Sequence, residues 1–173
     1  CCSWKGIEIE IHPRLIDIYN PYAYRRLQQL EEKNGRPISL KDLGGPDIEI
    51  PSPMLNLLLL DTHILKHALG RGIGLRQFCD MARVCYGLYG KVDAEAMKQI
   101  SHRLGIRKWN KLLHAFLVDY LGLDSKYLPY AEREKNAGSL LEIVWKGGNF
   151  GMYPEGKTQK PMNGWRGKMA TLR

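Results

Sequence analysis

The chain has 173 residues, of which 44% are hydrophobic and 25% are charged. These values fit one domain of moderate size, or a core with appendages, and exclude a largely disordered chain. Lysine and arginine outnumber the acidic residues by 26 to 18, so the net charge of +8 permits an anionic partner, including nucleic acid. The leucine-rich run 55–60 is too short to span a bilayer and nothing resembles a signal peptide, so we expect a cytoplasmic protein that does not enter a membrane.

The first periodic segment is a predicted β-strand over residues 7–12. Isoleucines alternate there with Glu8, Glu10 and His12, and Pro13 ends the strand because it cannot donate to a neighbouring strand. Glu8 and Glu10 therefore share one face. That face is either solvated or a support for a metal ion, which prefers carboxylate oxygens on a rigid element. The alternation leaves both interpretations open.

The next elements are predicted to be mainly helical. A helix over residues 21–33 begins at a proline, and an irregular stretch with a short strand over 48–50 follows it. Two apolar helices over 53–69 and 75–88 then flank Gly70, Gly72 and Gly74, whose conformational freedom allows the chain to fold back as a hairpin. Further helices are predicted from Asp93 to Leu104, over 106–121 and over 136–145.

The hairpin also carries the polar residues that attract most attention. In an antiparallel arrangement His67 lies level with Arg76 or Gln77, and His63 lies roughly level with Asp80. A cation in the first turn of a helix opposes the helix dipole, so Arg76 requires an anionic partner. That partner is either Asp80 in a buried structural cluster with the two histidines or a bound phosphate at the helix N-terminus.

Cysteine and histidine spacing indicates no metal centre in this segment. Cys79 and Cys85 are six residues apart on a predicted helix, so they point to different faces and are expected to be small buried residues of a reducing compartment. His63 and His67 have the spacing of helical zinc ligands, but no third ligand is evident from spacing, so we expect them to be structural.

The block Gly72-Ile73-Gly74-Leu75-Arg76-Gln77-Phe78-Cys79-Asp80, preceded by His63-x-x-x-His67, resembles the uncharacterised bacterial nucleotidyltransferase family of the DNA polymerase β-like superfamily. Ile9-Glu10-Ile11-His12 is similar to a strand of that family, and Gly147-Gly148-Asn149-Phe150-Gly151 is similar to one of its turns. The similarity extends from about residue 7 to residue 168.

The resemblance implies transfer of a nucleoside monophosphate from an NTP to an unknown acceptor. It also implies Mg²⁺ held by three carboxylates. Glu10 matches the third of these carboxylates, and Glu8 shares its strand face. Arg76, His67 and Asp80 are the expected substrate-binding residues.

The chain departs from the family pattern because it contains no Gly-Ser followed by a pair of acidic residues. We therefore expect a fragment without the N-terminal catalytic core, inactive alone. The expected fold is a mainly α helical bundle with one β-strand left from an α/β core. Its parts are a core remnant over 1–50, a helical domain over 51–150 and a basic irregular tail over 151–173. The alternative is a non-catalytic helical module that binds a protein or a nucleic acid, and the oligomeric state stays open.

Overall fold

A computed structural model describes residues 2–9, 25, 28–29, 38–39, 41, 44, 46–47, 49–69 and 73–147. The fold is mainly helical, as predicted. From residue 49 to residue 147, the described helices are α1 (Pro53–Leu69), α2 (Leu75–Gly87), α3 (Ala94–Leu104), α4 (Arg107–Asp119) and α5 (Gly138–Gly147), with a 3₁₀ turn at Ser125–Tyr127. Within this described part, no helix has both the length and the apolar character needed to cross a membrane.

The strands form two small antiparallel pairs. β1 (Cys2–Trp4) pairs with β2 (Ile7–Ile9), and the turn between them passes through Lys5 and Gly6, which both have positive φ. β3 (Ile38–Ser39) pairs with β4 (Glu49–Ile50). β2 and β4 confirm parts of the strands predicted over 7–12 and 48–50. Residues 10–12 lie outside the described residues.

Local sequence signals determine where α1 begins and where α3 begins and ends. Ser52 precedes α1 and its hydroxyl accepts the backbone N–H of Leu55 at 3.3 Å. Asp93 caps α3, since its Oδ1 accepts the N–H groups of Glu95 and Ala96 at 2.9 and 3.0 Å. Gly105 ends α3 with φ of 74°, a left-handed conformation that favours glycine. The expected ends of α3 are therefore confirmed.

The core lies where α4 packs against α2, α3 and α5, and α1 packs against α2 as the predicted hairpin. Phe78 of α2 and Phe116 of α4 are both fully buried, and their ring centroids are 4.3 Å apart. Most residues that helical spacing assigns to the buried face of α4 are indeed buried, but Tyr120 is exposed. The core therefore joins segments that are far apart along the chain.

Two helices differ slightly from their predicted bounds. α4 ends at Asp119, and Gly122 then adopts a left-handed φ of 69°. α5 begins at Gly138 because the side chain of Asn136 accepts the N–H of Gly138 at 3.2 Å, so Asn136 precedes the helix.

Several predictions concern residues that lie largely outside the described part of the chain. Of the helix predicted over 21–33, the structure describes residues 25, 28 and 29, which are helical. The turn over 147–151 lies outside the described residues from residue 148 onward, and the tail over 151–173 lies wholly outside them. The domain boundaries at residues 50 and 150 remain predictions.

Candidate functional site

Arg76 lies in the first turn of α2, at the turn end of the α1–α2 hairpin. Gly74 is the N-cap and makes no side-chain hydrogen bond, so no capping side chain satisfies the first N–H groups of α2. The side chain of Arg76 is 85% exposed, and its Nε lies 4.0 Å from Oδ2 of Asp80. This arrangement places an exposed cation beside helix N–H groups that no capping side chain satisfies.

The prediction of a buried polar cluster in the hairpin is wrong. The side chain of Asp80 is 52% exposed and His63 is also exposed, whereas His67 is partly buried. The buried face of α2 carries Gln77, Phe78, Met81 and Cys85, and helical spacing therefore places Arg76 and Asp80 on the solvent side.

The rings of the two histidines contact each other. Their ring centroids are 4.5 Å apart in an edge-on arrangement. Burial lowers the pKa of His67, and the neighbouring charge of Lys66 lowers it further, so a neutral imidazole is favoured. Within the described part of the chain, no hydrogen bond or ion pair joins His67 to Arg76 or Asp80.

The residues proposed for a metal ion lie elsewhere. Glu8 is the middle residue of β2 and pairs with Ser3 of β1, and Glu10 lies outside the described residues. Among the residues that the structure describes, no three histidine, cysteine, aspartate or glutamate side chains could together hold a metal ion. Cys85 is buried as predicted, but Cys79 is exposed, so its predicted burial is wrong.

A buried polar cluster in the core was not predicted from the sequence. Trp109 Nε1 donates a 2.7 Å hydrogen bond to Oδ1 of Asp61, and both residues are buried. Beside them Asn110 donates through Nδ2 to Ser101 Oγ at 3.0 Å, and Ser101 donates to the carbonyl of Met97 at 2.8 Å. The cluster therefore connects α1, α3 and α4 through polar contacts inside an apolar core.

Burial dominates the electrostatics of this cluster. It raises the pKa of Asp61 to about 7, even though hydrogen bonding to Trp109 and Asn110 acts in the opposite direction. The pKa of the nearby Cys85 thiol rises to about 12, because of burial and then because of Asp61. Oδ2 of Asp61, Oδ1 of Asn110 and the hydroxyl of Tyr130 have no hydrogen-bond partner within the described part.

One sequence signal could have indicated the position of Asp61. It follows Leu57 and Leu58 by four and three residues and precedes Ile64 by three, so it lies on the apolar stripe of α1. An acidic residue on such a stripe either reaches solvent because the helix is irregular there, or is buried with a polar partner. The partner Trp109 is 48 residues away, and helical spacing cannot identify it.

An open pocket of about 240 Å³ lies between α3 and the start of α4. Its lining consists of Glu95, Lys98, Gln99, His102, Arg103 and Arg107. Glu132 binds Arg107 through two hydrogen bonds of 2.8 and 3.0 Å and Lys98 at 3.1 Å. These bonds lower the pKa of Glu132 to about 2, and the hydrogen bonds from Arg107 have the largest effect.

The segment around Glu132, between the 3₁₀ turn and α5, is also bonded to the core by a histidine. His114 Nδ1 donates to the carbonyl oxygen of Glu132 at 2.7 Å, which requires the tautomer protonated at Nδ1. Burial lowers the pKa of His114 to about 4 and keeps its ring neutral. Glu132 is already bonded to two of the cations that line the pocket, Lys98 and Arg107. We therefore interpret the pocket as part of an ion network that attaches the segment around Glu132 to α3 and α4.

Comparison with known proteins identifies the family. A family model described as an uncharacterised nucleotidyltransferase matches residues 1–122, which is more than half of the chain and runs from β1 through α4. No curated protein and no solved structure matches the chain. The match includes the hairpin with Arg76, the block from which the resemblance was inferred. The chain therefore belongs to the family of uncharacterised nucleotidyltransferases.

Proposed function

We propose that this chain contributes to the transfer of a nucleoside monophosphate from an NTP to the hydroxyl or phosphate of an acceptor. The observation that carries the proposal is the family match, which includes the α1–α2 hairpin and the exposed Arg76. A guanidinium forms paired hydrogen bonds with phosphate oxygens, and a helix N-terminus adds N–H donors and a favourable dipole. Arg76 is therefore our candidate for contact with the triphosphate or with an anionic acceptor.

His67 and Asp80 have supporting roles in this proposal. His67 lies in the last turn of α1 and Arg76 in the first turn of α2, so both lie at the same end of the hairpin. A neutral imidazole can donate one hydrogen bond to a substrate oxygen without adding charge. Asp80, one turn from Arg76 on α2, orients the guanidinium while leaving most of it accessible.

Magnesium enters the proposal through the family resemblance. Mg²⁺ would neutralise the phosphates of the NTP, and we propose Glu10, with Glu8 of β2, as the residues of this chain that help to hold it. Glu10 lies outside the described residues, and the described ones gather no three ligating side chains. The described residues do not by themselves form a magnesium site, so no chemical step is assigned to the metal here.

The proposal is tested by NTP binding to Arg76→Lys, measured by calorimetry with Mg²⁺ beside the unfolding temperature. Lysine keeps the charge but cannot form the paired hydrogen bonds, so we expect affinity to fall about tenfold, equivalent to about 1.4 kcal/mol. Arg133→Lys is the matched control, because Arg133 is also an exposed arginine paired with an aspartate, Asp119, at 2.7 Å. Unchanged affinity with a lower unfolding temperature would show that Arg76 is structural.

A further inference from the structure

Three tyrosine side chains form an aromatic surface at the end of α2. Tyr86 belongs to the last turn of this helix, Tyr89 follows it, and Tyr127 ends the 3₁₀ turn Ser125–Tyr127. The ring centroid of Tyr127 is 4.8 Å from that of Tyr86 and 5.2 Å from that of Tyr89, both in edge-on contacts. We call these three residues the tyrosine surface.

The tyrosine surface is held in place but remains accessible. Tyr86 is 62% exposed and Tyr89 is 57% exposed, whereas Tyr127 is partly buried. The N–H of Tyr127 donates to the carbonyl of Asp124 at 3.0 Å, and Tyr89 lies in the backbone turn that ends α2. An edge-on contact occupies the edge of one ring and the face of the other, so the two exposed rings retain surface on which a planar group can stack.

Cations accompany these rings. Lys126 Nζ lies 4.8 Å from the ring centroid of Tyr127 and 3.1 Å from Oδ2 of Asp124. Arg83 is exposed and lies one helical turn before Tyr86, and Arg76 lies two turns before Arg83, about 10 Å along the axis. Helical spacing places Arg76, Arg83 and Tyr86 on the solvent side of α2. Asp80 lies on this side too, beside Arg76, so the cations next to the tyrosine surface are Arg83 on α2 and Lys126 beside Tyr127.

We propose that the tyrosine surface binds single-stranded nucleic acid, with bases stacked on Tyr86 and Tyr89 and backbone phosphates contacting Arg83 and Lys126. Proteins that bind single strands combine aromatic stacking positions with cations that follow the phosphate chain, and both features occur here. The net charge of +8 favours an anionic partner over a basic one, and the exposed rings favour a partner with planar bases to stack. Single-stranded nucleic acid would then be the class of acceptor in the transfer reaction, and this step rests on the proposed function.

Geometry also connects this surface with Arg76. A strand that stacks on Tyr86 and continues along the exposed side of α2 passes Arg83 and reaches the first turn, where Arg76 lies. The same helix would then hold the bases of an acceptor at one end and an anionic group at the other. Binding of the strand requires only the tyrosines and cations, so it is measurable without NTP.

The test is fluorescence anisotropy with a short fluorescein-labelled oligodeoxythymidylate and an abasic strand of equal length, without NTP. The abasic strand has the same phosphates but no bases, so stacking predicts that the intact strand binds at least about tenfold more tightly. The double variant Tyr86→Leu, Tyr89→Leu should lose that advantage. The matched Tyr86→Phe, Tyr89→Phe variant should retain it, because the rings remain.

Charge is tested separately. Arg83→Gln should weaken binding of both strands alike, and the slope of log affinity against log salt concentration should fall by about one phosphate contact. Lys108→Gln, at an exposed lysine of α4, is the control and should change neither the affinity nor the slope. Equal affinity for the two strands, or equal losses in the Leu and Phe variants, would overturn the inference.

A self-association surface predicts a different outcome. In that case light scattering would detect a dimer that the Leu variant abolishes, no strand would bind, and the inference would fail. A chain that binds NTP but no strand would overturn this inference and leave the proposed function intact. Strand binding without NTP binding would contradict the proposed function alone.

Discussion

Trp109 Nε1 and Asp61 Oδ1 form a 2.7 Å hydrogen bond in the core, between α4 and α1. Asp61 is 1% exposed, and burial raises its pKa to about 7. Near neutral pH the core therefore contains a carboxyl group that is divided between its neutral and charged forms. This relationship makes the stability of the fold depend on pH.

The first prediction concerns Asp61. Its pKa is about 7 in the folded chain and 3.8 ordinarily, so the folded state binds the proton more tightly between these values. Its contribution to the free energy of unfolding is complete below pH 3.8 and is lost as the pH rises through about 7, by on the order of 4 kcal/mol. Urea unfolding across this range should show Asp61→Asn to be less stable relative to wild type at acidic pH than at pH 8.

Asp80→Asn is the matched control, because Asp80 is exposed. Its stability difference from wild type should vary little over the same pH range. If Asp61→Asn and Asp80→Asn show the same pH profile, the buried acid does not titrate in the folded state as proposed.

The second prediction is an opposite pH dependence from His114. Burial lowers its pKa from 6.5 to about 4, so the unfolded state binds the proton more tightly between these values. Stability from the neutral ring is present above pH 6.5 and is lost as the pH falls through about 4. The slopes from Asp61 and His114 therefore offset each other between about pH 4 and 6.5.

Single substitutions should separate the two contributions. With Asp61→Asn, the free energy of unfolding should rise with pH over this window, because His114 then dominates. With His114→Asn, which retains a donor for the carbonyl of Glu132, it should fall with pH. Equal slopes in both variants, measured by urea unfolding, would disprove this compensation.

The third prediction is a small effect of the hairpin ion pair on stability. Arg76 and Asp80 are exposed and 4.0 Å apart, so Asp80→Ala should change the free energy of unfolding by less than about 1 kcal/mol. Glu132→Gln is the comparison, since Glu132 binds both Arg107 and Lys98 and should lower the unfolding temperature more. A loss of about 3 kcal/mol for Asp80→Ala would instead require a buried partner.

The fourth prediction is that the 173-residue chain does not transfer nucleotides alone. Glu10 is the one residue that we expect to match a family carboxylate, and the sequence contains no Gly-Ser followed by paired acidic residues. Incubation with labelled NTPs, Mg²⁺ and a mixture of acceptors should give no labelled product. Robust labelling of any acceptor would refute this expectation, and NTP binding without transfer would agree with it.

Much of the helical framework follows from local sequence. The apolar spacing in 53–69 and 75–88, separated by three glycines, predicts α1 and α2 because a helix repeats every 3.6 residues. Asp93 and Gly105 identify the ends of α3 because capping needs only a short segment and one left-handed residue. The family resemblance also rests on a contiguous block, around Arg76, and the match over residues 1–122 agrees with it.

The partners of individual side chains depended on tertiary packing. Spacing places Asp61 on the buried stripe of α1, but Trp109 reaches it only because α4 packs nearby. Tyr127 contacts Tyr86 and Tyr89 across about forty residues for the same reason. Periodicity specifies which residues share a helix face, whereas the neighbouring helices determine which face is buried. That is why Arg76 and Asp80, expected inside the hairpin, lie in solvent.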